Sequence, residues 1–418
     1  MADTAGPGDR YWNPTRTYEF DLMIGKVDLT LDLVSVSIVT SIDVPYQSFV
    51  LQIALDPNDV ILEQIYGQKP LTMKVRLFAT GTRITLEETI FELMYLTSDM
   101  PIEVTTETPE NMQKDRQIIT FVCVSRKAYT TMNSVVANAY QGATLSTVVN
   151  ELIASAPTKP TPVVDTQGAN AEVMDQILIP TSTLYKNLQY LNRTFGLYDG
   201  MPAIFCSHDN KVYIKNLTAK MTTSSKFVVY QLPLGKDNTK IIEKCSDGKF
   251  FYTTKNLETT YKGTSAFAYM APRQLHIVKP KDRLFHTIDI ELEPLAQKYG
   301  LISKGTKIFY DTVALPTSNR VAIHKDHTGN EMNESYIRAK YARRVSSLTE
   351  MMVEVQQSIR ILELMNVGEA VKLDTQIVPT KDFTDMYIMR ASHIKFFKVT
   401  DWEASAVLFL IRTNRTLS

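Results

Sequence analysis

The sequence predicts a mainly β fold with α/β insertions, in which two antiparallel β-barrel domains flank a mixed helical and sheet middle region. Three observations predict it. Short runs of alternating apolar and polar residues, punctuated by turn residues, fill the chain from about residue 18 to 125. The same texture returns from about residue 350 to Arg412. Helical three-and-four spacing is concentrated between Arg126 and Gly196. With 418 residues, the chain also exceeds the roughly 250 to 300 residues at which one hydrophobic core stops growing, so more than one domain is expected.

In the first region DLTLDLVSVSIV, residues 28 to 39, carries Leu29, Leu31 and Leu33 on one parity and Val34, Val36 and Ile38 on the other. A switch of parity inside a strand predicts a bulge or bend. SFVLQIAL is the next strand, closed by Asp56-Pro57-Asn58-Asp59, with a short helix expected over 60 to 66. LTMKVRLFAT, RITLEETIFELMYLTSD and QIITFVCVS continue the strands to Ser125.

After Arg126 the pattern turns helical. Leu145, Val148, Val149, Leu152 and Ile153 mark one amphipathic helix capped by Thr144, and PTKPTP, residues 157 to 162, reads as a rigid connector. Leu184, Leu188 and Leu191 mark the buried stripe of a second helix, capped by Thr181 or Ser182 and ended by Gly196. PAIFCS and KVYIKNL form a hairpin about His208-Asp209-Asn210, against which that helix is expected to pack. Residues 227 to 302 combine strand-like FVVYQLPL, KFFYTT and LFHTIDIEL with long loops. SYIRAKYARRVSSLTE is helical in composition, and MMVEVQQSIRI, GEAVKLD, DMYIMRASHIKFFK and WEASAVLFLIR are expected as four strands in meander order. The domain boundaries that follow are an N-terminal arm over 1–17, a first barrel over 18–125, a mixed middle domain over 126–225, a β-rich region with long loops over 226–332, and a helix with the closing strands of a second barrel over 333–418.

Forty-five basic residues balance forty-five acidic ones, a formal net charge of +0, which provides no global attraction to phosphate backbones or anionic membranes. Cys123, Cys206 and Cys245 are too scattered for a zinc site or a disulfide framework, and the first residues carry no apolar signal segment. The chain is expected to fold in a reducing cytosol.

No phosphate loop, HExxH helix, nucleophile elbow or CxxC pair is present. No catalytic residue, metal ligand or cofactor is therefore assigned. His324 and His327 stand in a turn context, and pairs such as Glu87-Glu88 read as solvated faces. Arg338, Lys340, Arg343 and Arg344 form the densest basic run; on a helix at least two share a face, which makes Arg338, Lys340 and Arg344 candidate channel or interface residues beside the ordinary reading of a solvated helix.

Four stretches carry a family resemblance: VSVSIVTSIDVPYQSFVLQIAL through GQKPLTMKVRLF, TLSTVVNELIASAP, the helix-turn-hairpin block MDQILIPTSTLYKNLQYLNRTFGLYDGMPAIFCSHDNKVYI, and the ending MNVGEAVKLD with DMYIMRASHIKFFKVTDWEASAVLFLIRTN. In order and texture the chain resembles the baseplate central hub protein of contractile-tailed bacteriophages, and the related N-terminal hub part of type VI secretion spike proteins. The resemblance implies a homotrimeric ring of paired barrels that adapts a six-fold tail tube to a three-fold spike and forms part of the DNA exit channel. It implies as partners the chain itself, the tube protein, the spike protein, wedge or other hub proteins, and transient non-specific contact with genomic DNA, without membrane insertion. It places the protein in the virion tail baseplate, assembled in the host bacterial cytoplasm. Tyr387, His393, Trp402, Leu408 and Arg412 fall in the family's closing hairpin, with Tyr387, Trp402 and Leu408 as core residues. A type VI or tail-like injection particle is the nearest alternative, and a tail-associated wall-degrading enzyme, which requires paired acids or a metal, the next. On this resemblance the spike belongs to another polypeptide.

Overall fold

The computed structural model describes residues 16–55, 71–79, 85–99, 117–171, 173–198, 201–220, 226–231, 250–253, 258–261, 273–278, 286–289, 308–313, 322–323, 349–355, 361–375, 386–398 and 401–411. Apolar alternation sets the strands. In β1 (Arg16–Ile24), Tyr18, Phe20, Leu22 and Ile24 point inward, and a Gly25 turn with positive φ reverses the chain into β2 (Val27–Asp28). β3 (Leu33–Ser41) and β4 (Ser48–Leu55) pair antiparallel with a register shift between Leu33 and Ser35. That shift is the predicted bulge: Leu33 is buried on one side of it and Val36 and Ile38 on the other. Leu31, expected on the strand, stands in a turn before it and is 87% exposed. β5 (Leu71–Ala79), β6 (Thr85–Asp99) and β7 (Gln117–Ser125) follow. The helix expected over 60 to 66 lies outside the described residues.

Among the described residues, the middle region holds four helices and five strands. α1 (Arg126–Asn133) leads to β8 (Val135–Thr144), α2 (Leu145–Ala154), β9 (Thr161–Val164), β10 (Val173–Thr183), α3 (Leu184–Phe195), β11 (Pro202–Cys206), β12 (Lys211–Asn216) and the short α4 (Leu217–Lys220). Thr144 caps α2 by accepting from Thr147 N at 3.3 Å. Two expectations need correction. The cap of α3 is Thr183, the last residue of β10, which accepts from Lys186 N, while Thr181 and Ser182 lie further back in that strand. The proline-rich connector contributes β9, paired in parallel with β12; Pro162 is tolerated there because β9 is an edge strand.

The remaining strands are β13 (Phe227–Gln231), β14 (Phe250–Thr253), β15 (Glu258–Tyr261), β16 (Arg273–Val278), β17 (His286–Asp289), β18 (Ile308–Val313), β19 (Ala322–Ile323), β20 (Thr349–Val355), β21 (Ala370–Thr375), β22 (Met386–Lys398) and β23 (Trp402–Ile411), with a 3-10 turn at Ile361–Met365. β16 to β19 form a separate antiparallel sheet in the order β18-β16-β17-β19.

One ladder closes into a circuit, β1-β5-β6-β7-β4-β3-β22-β23, completed by the pair Tyr18 and Trp402. The final hairpin, β22 with β23, thus supplies two staves of the first barrel. Its other half belongs to a second system, β14-β13-β21-β22-β23-β20-β15, in which β13 runs parallel to both β14 and β21. The closing strands are consequently not in meander order: β20 pairs with β23, on the far side from β21. A single apolar core runs through both systems, and a second one fills the middle region. Among the described residues, no helix is long and apolar enough to cross a membrane.

Candidate functional site

The features that organise this molecule lie where the three parts meet. The β11–β12 hairpin is the dividing wall. Its alternation sends Ala203 and Phe205 into the barrel core, with Met201 and Leu217 beside them, and Ile204, Cys206, Val212 and Ile214 into the middle core. Helix α3 lies on the middle side of this wall: Leu184, Leu188 and Leu191 are each 0% exposed and share a cluster with Ile204, Val212 and Ile214. Asn187, on the same face, donates from Nδ2 to Val136 O at 2.8 Å and so ties the helix to β8.

Polar contacts join the wall and the hairpin to their neighbours. Lys215 Nζ donates to Val367 O at 2.8 Å and to Glu369 Oε1 at 2.7 Å, while lying 5.0 Å and 5.2 Å from the ring centroids of Tyr213 and Phe205. Gly368, between the two acceptors, has a φ of +76° and its N–H donates to Met389 O of β22. Arg390 Nε donates to Asp43 Oδ2 at 2.7 Å, linking β22 to the loop after β3. On the opposite side Gln47 Oε1 accepts the His208 N–H at 3.1 Å, Cys206 N donates to Pro45 O at 2.7 Å, and the His208 ring packs 4.7 Å from Phe91 of β6.

Ser207, His208 and Asp209 bring together the residue types of a hydrolytic relay, but their geometry does another job. Ser207 Oγ donates directly to Asp209, and His208 Nδ1 is buried with no hydrogen-bond partner. A relay needs the imidazole between hydroxyl and carboxylate; here it is turned toward Phe91. Burial pushes the His208 pKa below its ordinary value, against the opposing pull of Asp209. Burial likewise pushes the thiols of Cys123 and Cys206 up to about 12, which leaves them as packing groups rather than nucleophiles at neutral pH. Among the described residues no group of three His, Cys, Asp or Glu side chains is placed to hold a metal.

Tyr387, Trp402 and Leu408 are buried along the closing hairpin. Trp402 packs against Phe20 with ring centroids 4.4 Å apart and planes tilted by 47°, and Phe396 lies edge-on to both Tyr18 and Phe20, so β22 and β23 complete the aromatic centre of the first barrel. Arg338, Lys340 and Arg344 lie outside the described residues, as do His324, His327, Cys245 and Arg412. Sequence reasoning missed Lys215, Glu369, Gly368, Asp43, Arg390 and Gln47. A lysine inside the otherwise apolar end of KVYIKNL was the available signal, because a buried lysine requires a partner.

Residues 82–247 match the family described as Bacteriophage PBS1 gene 109 protein. No curated protein matches the chain in sequence. Among solved structures, the prophage MuSo2 43 kDa tail protein from Shewanella oneidensis overlaps with a TM-score of 0.54 at 13% identity, covering 94% of this chain and 98% of that one. The tail protein from Neisseria meningitidis MC58 overlaps with a TM-score of 0.53 at 10% identity, covering 95% and 96%. The chain shares the fold of these two tail proteins. The tail-protein fold extends through both sheet systems and the middle region, since the overlaps take in nearly the whole chain on each side.

Proposed function

We propose that the chain is the structural hub of a contractile phage tail baseplate. Three copies close into a ring that receives the six-fold tail tube on one face and the three-fold spike on the other, and the central opening forms part of the DNA path. The observation that carries the reading is the continuity of β22 and β23 through both sheet systems, in a chain with a tail-protein fold. Two β units that share staves cannot rotate against each other without breaking ladder bonds, and rigid paired units suit an adaptor that must present one repeated interface around a ring. The work is structural: the protein catalyses no reaction and requires no cofactor or metal. The formal net charge of +0 fits a passage that touches DNA transiently and does not retain it. Tube, spike and wedge or other hub proteins are the partners, and the setting is the virion tail after assembly in the host cytoplasm. Arg338, Lys340 and Arg344 remain proposed channel or interface positions.

Native mass measurement of the purified chain, alone and mixed with tube and spike proteins, tests this reading. Three copies are expected. A stable monomer in the presence of both partners, or a six-copy ring, overturns it.

A further inference from the structure

Strands β8 and β10 form a two-stranded ribbon of their own. Their antiparallel register sets Leu178 opposite Ala139, Ile177 opposite Tyr140 and Gln176 opposite Gln141. One face is closed: Val136, Tyr140, Ile177 and Ile179 are buried in the middle core. The ladder is irregular between Ile179 and Ser182, and Asn187 Nδ2 reaches Val136 O and Ser182 O there. The other face is open. Val135 is 62% and Leu178 59% exposed, and Ala137, Ala139 and Gln141 are exposed between them.

The two edges of the ribbon differ. β10 is blunted by Pro180 and by the irregular register, devices that discourage further pairing. β8, VVANAYQGAT, has no charged residue, no proline and no strand on its outer side among the described residues. Asn138 Oδ1 caps the Ala139 N–H at 2.9 Å. A row of edge donors and acceptors selects an extended backbone over a helix or a sugar. The side chains narrow the occupant further. Ala137 and Ala139 leave room beside the edge on the open face, so a self-pair of two β8 strands sets small residues against small ones and packs poorly, whereas large branched side chains at alternate positions fill it. The ribbon's single carboxylate, Asp175, lies opposite Gly142 on the parity of Ile177 and Ile179, and complements a basic residue at that end.

We propose that the outer edge of β8 is a β-augmentation site for another protein: an extended segment with β-branched residues at alternate positions whose one charge is a basic residue at one end. The site does not depend on the baseplate reading, and its test is separate from ring stoichiometry.

The probe is a fluorescein-labelled ten-residue peptide of alternating valine and threonine with one terminal lysine, titrated into the full chain and followed by anisotropy. Saturable binding is expected, lost when every second peptide amide is N-methylated, and weakened at least tenfold by Ala137→Lys with Ala139→Lys. Both substitutions are at exposed positions, and an unchanged melting curve certifies the fold of that variant. No saturable binding, equal binding of the methylated peptide, or wild-type affinity in the double variant overturns the proposal. Concentration-dependent protection of the β8 amides in the chain alone identifies a second copy as the occupant, and also overturns it.

Discussion

Lys215 and Glu369 are 154 residues apart in sequence, yet their charged groups meet at 2.7 Å with side chains only 5% and 16% exposed. The pair fastens the dividing wall of the middle region to the loop that enters β21. Replacing Lys215 with methionine leaves the Glu369 carboxylate and Val367 O short of a donor in a largely dry place. The expected cost is about 1.5 to 3 kcal/mol, the range for losing a hydrogen bond to a charged group. Urea unfolding of the full chain measures it. Lys215→Met combined with Glu369→Leu is expected to recover part of the loss, because no charge is then stranded.

Gly368 separates backbone strain from crowding. At its φ of +76° a Cβ lies 3.1 Å from Leu217 Cδ2 and 3.2 Å from Lys215 Cδ, whereas at Gly142, φ +58°, nothing lies within 4 Å. Both positions penalise an L side chain by about 1 to 2 kcal/mol through the left-handed backbone. Gly368→Ala carries the extra cost of displacing two buried neighbours, so it is expected to lower the denaturation midpoint clearly more than Gly142→Ala. Equal losses in a thermal melt would show that Leu217 and Lys215 yield freely.

What the sequence made legible was local. The bulge after Leu33 follows from a change of parity that needs only neighbouring residues, and so do the Thr144 cap and the hairpin about Asn210. The ribbon β8–β10 was not legible. Val135 to Thr144 has no clean alternation, because Asn138 is exposed on the side where Val136 and Tyr140 are buried, and VVANAY runs into the helical spacing that starts at Leu145. The double membership of β22 and β23 was not legible either. A strand buried on one face has the same alternation whichever partners flank it, so pairing with β3 and β1 leaves no mark distinct from pairing with β21 and β20. The junction contacts are long-range pairs, and only the isolated Lys215 hinted at one.

Leu188 is 0% exposed at the centre of the α3 stripe. Truncation to alanine is expected to cost about 2 to 5 kcal/mol through lost transfer energy and a cavity. Hydrogen exchange on α3 gives the local readout: amides protected in the wild type exchange faster in the variant, and unchanged protection together with an unchanged midpoint would mean that the stripe contributes no packing.

His208 gives the fold a direction in pH. Its pKa is held below the ordinary 6.5 by burial, with Asp209 opposing and Lys211 adding to the shift. The folded state therefore binds a proton less readily than the unfolded chain, so this contribution is intact above about 6.5 and is lost as pH falls toward the folded value. His393 is shifted in the same direction by burial and Lys395. Stability is expected to fall on acidification from pH 7.5 to 5.5, and His208→Gln is expected to flatten part of that slope. A wild-type slope identical to that of His208→Gln would remove His208 from the effect.

The shared hairpin makes the strongest claim about folding. Residues 1–125 contain β1 to β7 but lack β22 and β23, so the edges of β3 and β1 lose their partners, and Tyr18 and Phe20 lose Phe396 and Trp402. Unpaired edges and a bared aromatic centre leave too little burial to offset the ordering of the chain. The isolated fragment is expected to lack near-ultraviolet dichroism, to bind a hydrophobic dye and to aggregate. Joining residues 380–415 to it through a flexible linker is expected to restore a cooperative melt, since those residues return both missing staves. In the full chain the same interaction is tested by Phe396→Ala, where the lost ring contacts and the cavity are expected to cost about 3 to 5 kcal/mol. A cooperative melt with native-like aromatic dichroism from residues 1–125 alone would mean that the first barrel closes without the hairpin, and that β22 and β23 merely lean on a finished unit.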